Sequence, residues 1–447
     1  MAKKSSVRFE CSSCGATYSA WSGKCSTCGL WNTIQEQVVS AESLVASTGR
    51  SLEPQSLKDV VKYENIKRIT TGIKDFDTVL GGGFVPGSVT LVAGEPGIGK
   101  STILLQVAAA VAANGSVLYV SGEESAHQVA LRAKRLGAVA DKLSIAVSSS
   151  ANDIARTISE GDYSLVIVDS IQTVGVEEIS SSIGTISQIT NSTQLLTSAA
   201  KKVHSALILV GHVTKEGSIA GPKVLEHTVD TVLQLEGDRY GGFKLLRSIK
   251  NRFGSTGETG IFEMVESGLR TVENPSAALL AERQVSDGSV VLATIEGSRA
   301  LLVEIQALVN TTTYGYPKRA ASGFDINRLN LLIAMLERRT KLKLADKDIY
   351  INVVGGIKIS EPAADLAVVM AIASASKGMQ LKKNAVVFGE LGLSGEVRHV
   401  PFIEKRISEA LKLGFETAIG PKNSTIKKGL SSVPNVREAL NTFLEKE

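Results

Sequence analysis

The stretch GEPGIGKST at 94–102 sets glycines, a lysine and a hydroxyl at the spacing G-x-x-x-x-G-K-[ST]. Glycines let successive backbone N–H groups wrap around phosphate oxygens, and the positive end of the following helix adds to the attraction. The flanking residues fit that chemistry, since VTLVA reads as a strand and TILLQVAAAVAA as an apolar helix. Gly94, Glu95, Pro96, Gly97, Ile98, Gly99, Lys100, Ser101 and Thr102 are therefore the expected cradle of ATP. Lys100 is expected to reach the β- and γ-phosphates, and Ser101 to offer its hydroxyl to Mg²⁺.

Hydrolysis also needs a metal-side carboxylate and a base for the attacking water. SLVIVDS ends an apolar run on Asp169, and sites in parallel sheets gather at strand C-termini. Asp169 is thus the expected second magnesium ligand, direct or through water. YVSGEES closes another strand on Glu123 and Glu124, either of which could orient and deprotonate water. Acids also favour helix starts, so an exposed helix beginning is the plain alternative. His212, in ILVGHVTKEG, ends a further strand on the same edge, as a γ-phosphate sensor or simply as a hydrogen-bonded histidine.

A second pair of charges stands far downstream. In KNRFG, Lys250 and Arg252 lie two apart, so on an extended chain both leave one face. They could hold the chain's own nucleotide, touch nucleic acid, reach a neighbouring subunit, or end a strand in solvent.

Cys11, Cys14, Cys25 and Cys28 read C-x2-C-x10-C-x2-C and are the only cysteines. Two such knuckles close a tetrahedral Zn²⁺ shell with no open position, which makes a structural site. So short a head buries little core, and metal binding would largely fold it. Trp21 and Trp31 are expected to cover the metal.

These sites need elements to position them. A length of 447 residues suggests about three domains at ~150 residues each. The division expected is a zinc finger at 1–35, a polar linker at 36–59, an ATPase domain at 60–275, a second joint at 276–288 and a further α/β domain at 289–447. Between 60 and 275, short apolar strands alternate with helix-length segments, the pattern of a mostly parallel sheet covered on both faces. In the last domain, DIYINVVGG alternates as a strand, and SEPAADLAVVMAIASA reads as a helix with Ser360 as candidate cap. NAVVFGELGLSGEVRHV resembles a hairpin turning at 394–395. A net charge of +4 excludes a general polycation, so any nucleic-acid contact needs a focused patch. Arg338, Arg339, Lys341 and Lys343 at a helix end, with Lys318 and Arg319 in YGYPKRAASGFD, are candidates, although charge runs are commonly solvated faces. No apolar stretch approaches the ~20 residues of a membrane span, and the N-terminus lacks the apolar core of a signal peptide, so a cytoplasmic protein is expected.

TGIKDFDTVLGGGFVPGSVTLVAGEPGIGKST resembles the RecA-like core shared by RecA, KaiC and DnaB-type helicases. With the four-cysteine head and KNRFG, the whole chain resembles the bacterial RadA (Sms) family of DNA-repair ATPases. The resemblance implies a homohexameric ring that hydrolyses ATP and moves on single-stranded or branched DNA. It implies branch migration beside the RecA recombinase, in a damage or stress response. It also implies that Lys250 and Arg252 act in trans on the neighbour's γ-phosphate. The loops QTVGVEEISSSIGTISQ and KEGSIAGPKVLEH, the latter with Lys215 and Lys223, would line the DNA channel. An ATP-driven switch or kinase of the KaiC kind is the alternative.

From about residue 290 the chain resembles the peptidase domain of Lon. Lon's Ser–Lys chemistry needs a nucleophile and a lysine base in contact. Here EPAAD puts Ala363 at the serine, and PFIEKR puts Glu404 at the lysine, with Lys405 and Arg406 beside it. Ser360 lies three residues off, so ATP-dependent peptidase activity is not expected.

Overall fold

In the computed structural model of the chain, residues 8–12, 16–18, 20–37, 56, 67–212, 224–237, 242–313, 315–382, 384–423 and 428–446 are described. They belong to two compact units, Met1–Asn65 and Ile66–Glu447. Cys14, Lys215, Lys223 and most of the 36–59 stretch lie outside the described residues.

In the first unit, β1 (Arg8–Cys11) pairs antiparallel with both β2 (Thr17–Tyr18) and β3 (Ile34–Gln37). Among the described residues its core is Cys11, Cys25 and Ile34, with Phe9 and Tyr18 packed against it. Trp21 and Trp31 do not cover this core, contrary to expectation. They are 61% and 70% exposed and belong to none of the apolar clusters of the described residues.

The second unit begins with α1 (Lys74–Leu80) and then builds a nine-stranded sheet. Its parallel strands are β4 (Val89–Gly94), β5 (Val117–Ser121), β6 (Leu143–Val147), β7 (Leu165–Asp169), β8 (Ala206–His212) and β9 (Thr231–Gly237). An antiparallel extension follows: β10 (Phe243–Asn251), β11 (Thr259–Val265) and β12 (Gly268–Thr271). The spatial order is β12-β11-β10-β9-β4-β8-β7-β5-β6.

Successive residues feed opposite faces, as a pleat requires. Val92, Tyr119, Ile167 and Val210 pack with α1, α2 (Lys100–Ala112) and α3 (Ala126–Arg135). Leu91, Leu118, Val168 and Leu209 pack with α4 (Ala151–Glu160) and α5 (Ile186–Lys202). Both faces are therefore covered, and the strands read as continuous apolar runs. The short α6 (Val224–Thr228) precedes β9, and α7 (Pro275–Leu280), capped by Asn274, follows β12.

A seven-stranded mixed sheet completes the unit. β13 (Ser289–Glu296) and β14 (Arg299–Thr311) form a long antiparallel pair, and β15 (Arg319–Ser322) runs parallel to β16 (Lys347–Val353). Around them pack α8 (Ile326–Thr340), α9 (Asp365–Lys377) and α10 (Ile403–Lys412). Leu245, Ile261 and Leu279 join the apolar core of this sheet, so it is continuous with the antiparallel edge of the first. Ser360 does not cap α9: a 3-10 turn at Pro362–Ala364 intervenes, and the cap residue is Ala364 with no side-chain bond. The chain thus combines a RecA-like P-loop fold, a cysteine-rich zinc-ribbon head and a Lon-like α/β region. Among the described residues, no helix is long and apolar enough to cross a membrane.

Candidate active site

The 94–102 loop joins the C-terminal end of β4 to the first turn of α2. Gly99 holds φ at 116°, a region that L side chains rarely adopt. A Cβ there would fall 2.9 Å from the terminal methyl of Met264, which could shift, so it is the backbone angle that requires glycine. A cavity of about 370 Å³ opens above the loop, lined among others by Gly97, Lys100, Ser101, Thr102, Glu123 and Asp169. Glu95 and Ile98 instead line a second cavity with Arg247 and Lys358.

Lys100 is buried and donates through Nζ to the carbonyls of Gly94 (2.9 Å) and Glu95 (3.0 Å). Burial pushes its pKa down to about 8, against the pull of Asp169 and Glu123. Its third neighbour is His212 Nδ1 at 3.2 Å. An ammonium only donates, so Nδ1 must accept and the imidazole proton sits on Nε2. That nitrogen faces Glu123 Oε1 at 3.8 Å. Burial and Lys100 both lower the His212 pKa, which keeps the ring neutral.

The three carboxylates differ in their partners. Asp169 accepts from Tyr119 at 2.5 Å, and the tyrosine's pKa is raised by burial and by Asp169 itself, so it stays a donor. Glu123 accepts from Ser170 Oγ at 2.7 Å and keeps its side chain half exposed to the cavity. Glu124 is ion-paired with Arg132 of α3. Tyr119, Ser170 and Arg132 were not singled out from the sequence, and only the apolar strand context of Tyr119 hinted at it.

Lys250 and Arg252 stand at the other end of the sheet. Asn251 pairs with Thr231, and Thr231 with Thr90, whereas Gly94 pairs with Leu235. Four residues of strand, about 13 Å, separate the two levels. Both cations also turn away from the loop: Lys250 donates to the carbonyls of Glu226 (2.5 Å) and Val229 (2.7 Å), and Arg252 to Asp230 Oδ1 (3.1 Å). Asp230 is buried and its Oδ2 accepts from the Val89 amide at 3.1 Å. Neither cation serves the loop of its own chain.

Comparison with known proteins adds the family. The chain is 46% identical to the DNA repair protein RadA of Halalkalibacterium halodurans, over 99% of this chain and 100% of that one. It is 46% identical to that of Pseudomonas aeruginosa, covering 99% and 100%, and 45% identical to that of Escherichia coli, covering 99% of each. The chain belongs to the RadA family. Family models match residues 69–253 (KaiC ATPase), 309–424 (subunit ChlI of Mg-chelatase) and 9–36 (rubredoxin metal binding domain). Among solved structures, the RadB recombinase aligns with 25% identity over 46% of this chain and 100% of its own. The TM-score of that alignment is 0.36.

In this RadA family member, the peptidase-like position holds a different arrangement. Ala363 is buried in the 3-10 turn and Ser360 is exposed. Glu404 and Lys405 are exposed, while Arg406 points inward and is wholly buried. Arg406 donates to Glu361 through Nη1 (2.9 Å) and Nη2 (2.7 Å) and to the Ala293 carbonyl (2.6 Å). A bidentate ion pair thus lies two residues before Ala363 and two after Glu404, and neither of those two positions carries a nucleophile or a lysine.

The described thiols of the head converge. Cys11, Cys25 and Cys28 place their sulfurs within 4.8 Å of one another, with Cys11 and Cys28 at 3.7 Å. Tetrahedral zinc with Zn–S of about 2.3 Å needs sulfurs about 3.8 Å apart, so this donor set fits Zn²⁺. Hydrogen bonds from the Tyr18 hydroxyl and the Cys28 amide draw the Cys25 thiol down to about 5, in favour of the thiolate.

The basic candidates are split. Arg338, Arg339, Lys341 and Lys343 gather around the end of α8, and Lys318 lies ahead of β15. Arg319 reaches Asn330, about 12 Å along the helix from Arg338. The 172–188 loop is acidic in its contacts, with Glu178 accepting from Asn152 at 2.9 Å.

Proposed function

We propose that the chain is a DNA-dependent ATP hydrolase of recombinational repair, working as a homohexameric ring that moves on single-stranded DNA and promotes branch migration. The observation that carries this reading is the placement of Lys250 and Arg252 at the end of the sheet opposite the 94–102 loop. Their charges complete a phosphate site only when a second copy brings its own loop to them.

In this reading residues 60–275 are the motor, 289–447 a platform for assembly and DNA contact, and 1–35 a zinc-folded head. Lys100 holds the β- and γ-phosphates, exchanging its two carbonyl partners for phosphate oxygens. Ser101 and Asp169 would hold Mg²⁺, which when bound offsets the charge on the β- and γ-oxygens. Glu123 is the base, because Glu124 is neutralised by Arg132 while Glu123 faces the cavity bonded to the Ser170 hydroxyl and beside the neutral His212. His212, neutral and bridging Lys100 to Glu123, relays occupancy of the site to the strand end that leads towards the DNA-facing loop. Arg252 and Lys250 of the neighbour stabilise charge on the transferred phosphoryl group, a contribution of ~10³–10⁵ in rate where such fingers have been dissected. A cytoplasmic location and partnership with RecA accompany this role in the family resemblance.

The test is ATP hydrolysis with and without single-stranded DNA, with Lys100→Ala as blank. Strong stimulation supports a DNA motor. Real hydrolysis that DNA leaves unmoved overturns it in favour of a nucleotide-driven switch.

A further inference from the structure

Trp21 and Trp31 are the only tryptophans in the chain, and both stand on the surface of the cysteine-rich head. They are neighbours in space: a Cβ at Gly23 would lie 3.7 Å from the Trp31 ring and 4.0 Å from the Trp21 ring. The two indoles therefore flank a stretch of bare backbone. Trp21 is anchored through Nε1, which donates to the Ile34 carbonyl at 3.2 Å. Lys24 sets its ammonium 5.6 Å from the centre of the Trp31 ring.

A unit with so small a core gains most by burying its largest apolar side chains. Leaving two aromatic rings side by side in water marks an interaction surface. Its surroundings indicate the partner. Between Cys11 and Ile34 the sequence contains no aspartate or glutamate, and the polar residues beside the rings are Ser22, Lys24, Asn32 and Thr33. Tryptophans also anchor protein interfaces, but a ring pair with an adjacent cation, in a stretch from Cys11 to Ile34 without an acid, favours a polyanion carrying flat bases.

We propose that Trp21 and Trp31 form a stacking platform for unpaired bases of single-stranded nucleic acid, with Lys24 meeting the adjoining phosphate. The platform rests on the reading that the chain works on DNA, and it adds a contact carried by the cysteine-rich head.

Because both tryptophans lie here, tryptophan emission of the full-length, zinc-loaded protein reports on this surface alone. Titration with oligo(dT) is expected to quench that emission in step with the anisotropy of a labelled oligonucleotide. Trp21→Ala and Trp31→Ala are each expected to weaken binding about 5- to 100-fold, the range for losing one stacked base. Zinc content and DNA-independent ATP hydrolysis should stay unchanged, and Trp31→Phe, which keeps an aromatic face, should retain most of the affinity. Oligonucleotide binding with unmoved emission and wild-type affinity in both alanine variants would overturn the platform and leave a protein partner for this face. No binding by anisotropy at all would overturn the DNA reading and the platform with it.

Discussion

Lys100 and His212, 112 positions apart in the chain, meet with Nζ 3.2 Å from Nδ1 on the floor of the cavity. The contact orders three groups in a line, from the ammonium through a neutral imidazole to Glu123. It exists because β4 and β8 are adjacent and in register, with Gly94 opposite His212.

This arrangement makes nucleotide affinity pH-dependent. In the empty site burial favours uncharged Lys100, with a pKa of about 8, whereas phosphate favours the cation. ATP affinity should therefore be flat below about pH 7.5 and fall as pH rises through 8, by at most about tenfold per unit. The dissociation constant of a fluorescent ATP analogue, followed from about pH 6.5 to about pH 9.5, checks the sign. A rise in affinity with pH would contradict the assignment.

Glu123 and Glu124 should separate cleanly. Glu123→Gln is expected to keep ATP binding and lose about 10²–10⁴ in kcat, the usual contribution of a general base. Glu124→Gln leaves Arg132 without its partner and should cost little in kcat. Steady-state hydrolysis at saturating ATP, backed by single turnover with enzyme in excess over ATP, distinguishes the two, and equal losses would return the choice to both.

The cations at the far end of the sheet predict complementation. Lys100→Ala and Arg252→Ala subunits should each be inactive alone and recover hydrolysis when mixed, since mixed interfaces restore whole sites. Asp230→Asn should behave as a milder Arg252→Ala, because Asp230 holds the guanidinium at 3.1 Å while anchored by the Val89 amide. Mixtures that assemble but stay inactive would remove the trans role.

The Glu361–Arg406 pair predicts a stability effect and no chemistry. Arg406→Ala strands Glu361, which already accepts from Thr294 and the Ile295 amide, beside an apolar core. Losing one partner of such a pair costs about 3–5 kcal/mol, measurable by urea unfolding. Glu361→Gln with Arg406→Met should regain part of it. Ala363→Ser should produce no peptide cleavage, since Arg406 and not a lysine occupies the inward position beside that turn.

The legible parts of this molecule are those whose chemistry is local. The 94–102 loop, the paired cysteine knuckles and the apolar runs of β4 to β9 each carry their signal within a short stretch of chain. Glu123 and Glu124 could not be told apart because Arg132 selects between them from further along the next helix. Asp230 was invisible, since its partners Val89 and Arg252 lie on strands brought together only by register. Trp21 and Trp31, expected to cover the metal, stand largely exposed, because indole type alone does not say which neighbours the chain brings to it.

The opposed ends of the nine-stranded sheet also dictate how copies can meet. One end carries a loop for phosphate and the other a pair of cations, so a contact in which the cations act in trans, as proposed, would join unlike surfaces, and a two-fold dimer could not complete a site. An open row of subunits always ends in an unfilled loop and an idle pair of cations, whereas closing the row removes both at once. In the proposed trans arrangement, a solitary protomer would own halves of two different sites and no whole one. Specific activity should therefore climb with protein concentration and level off where the last gap shuts.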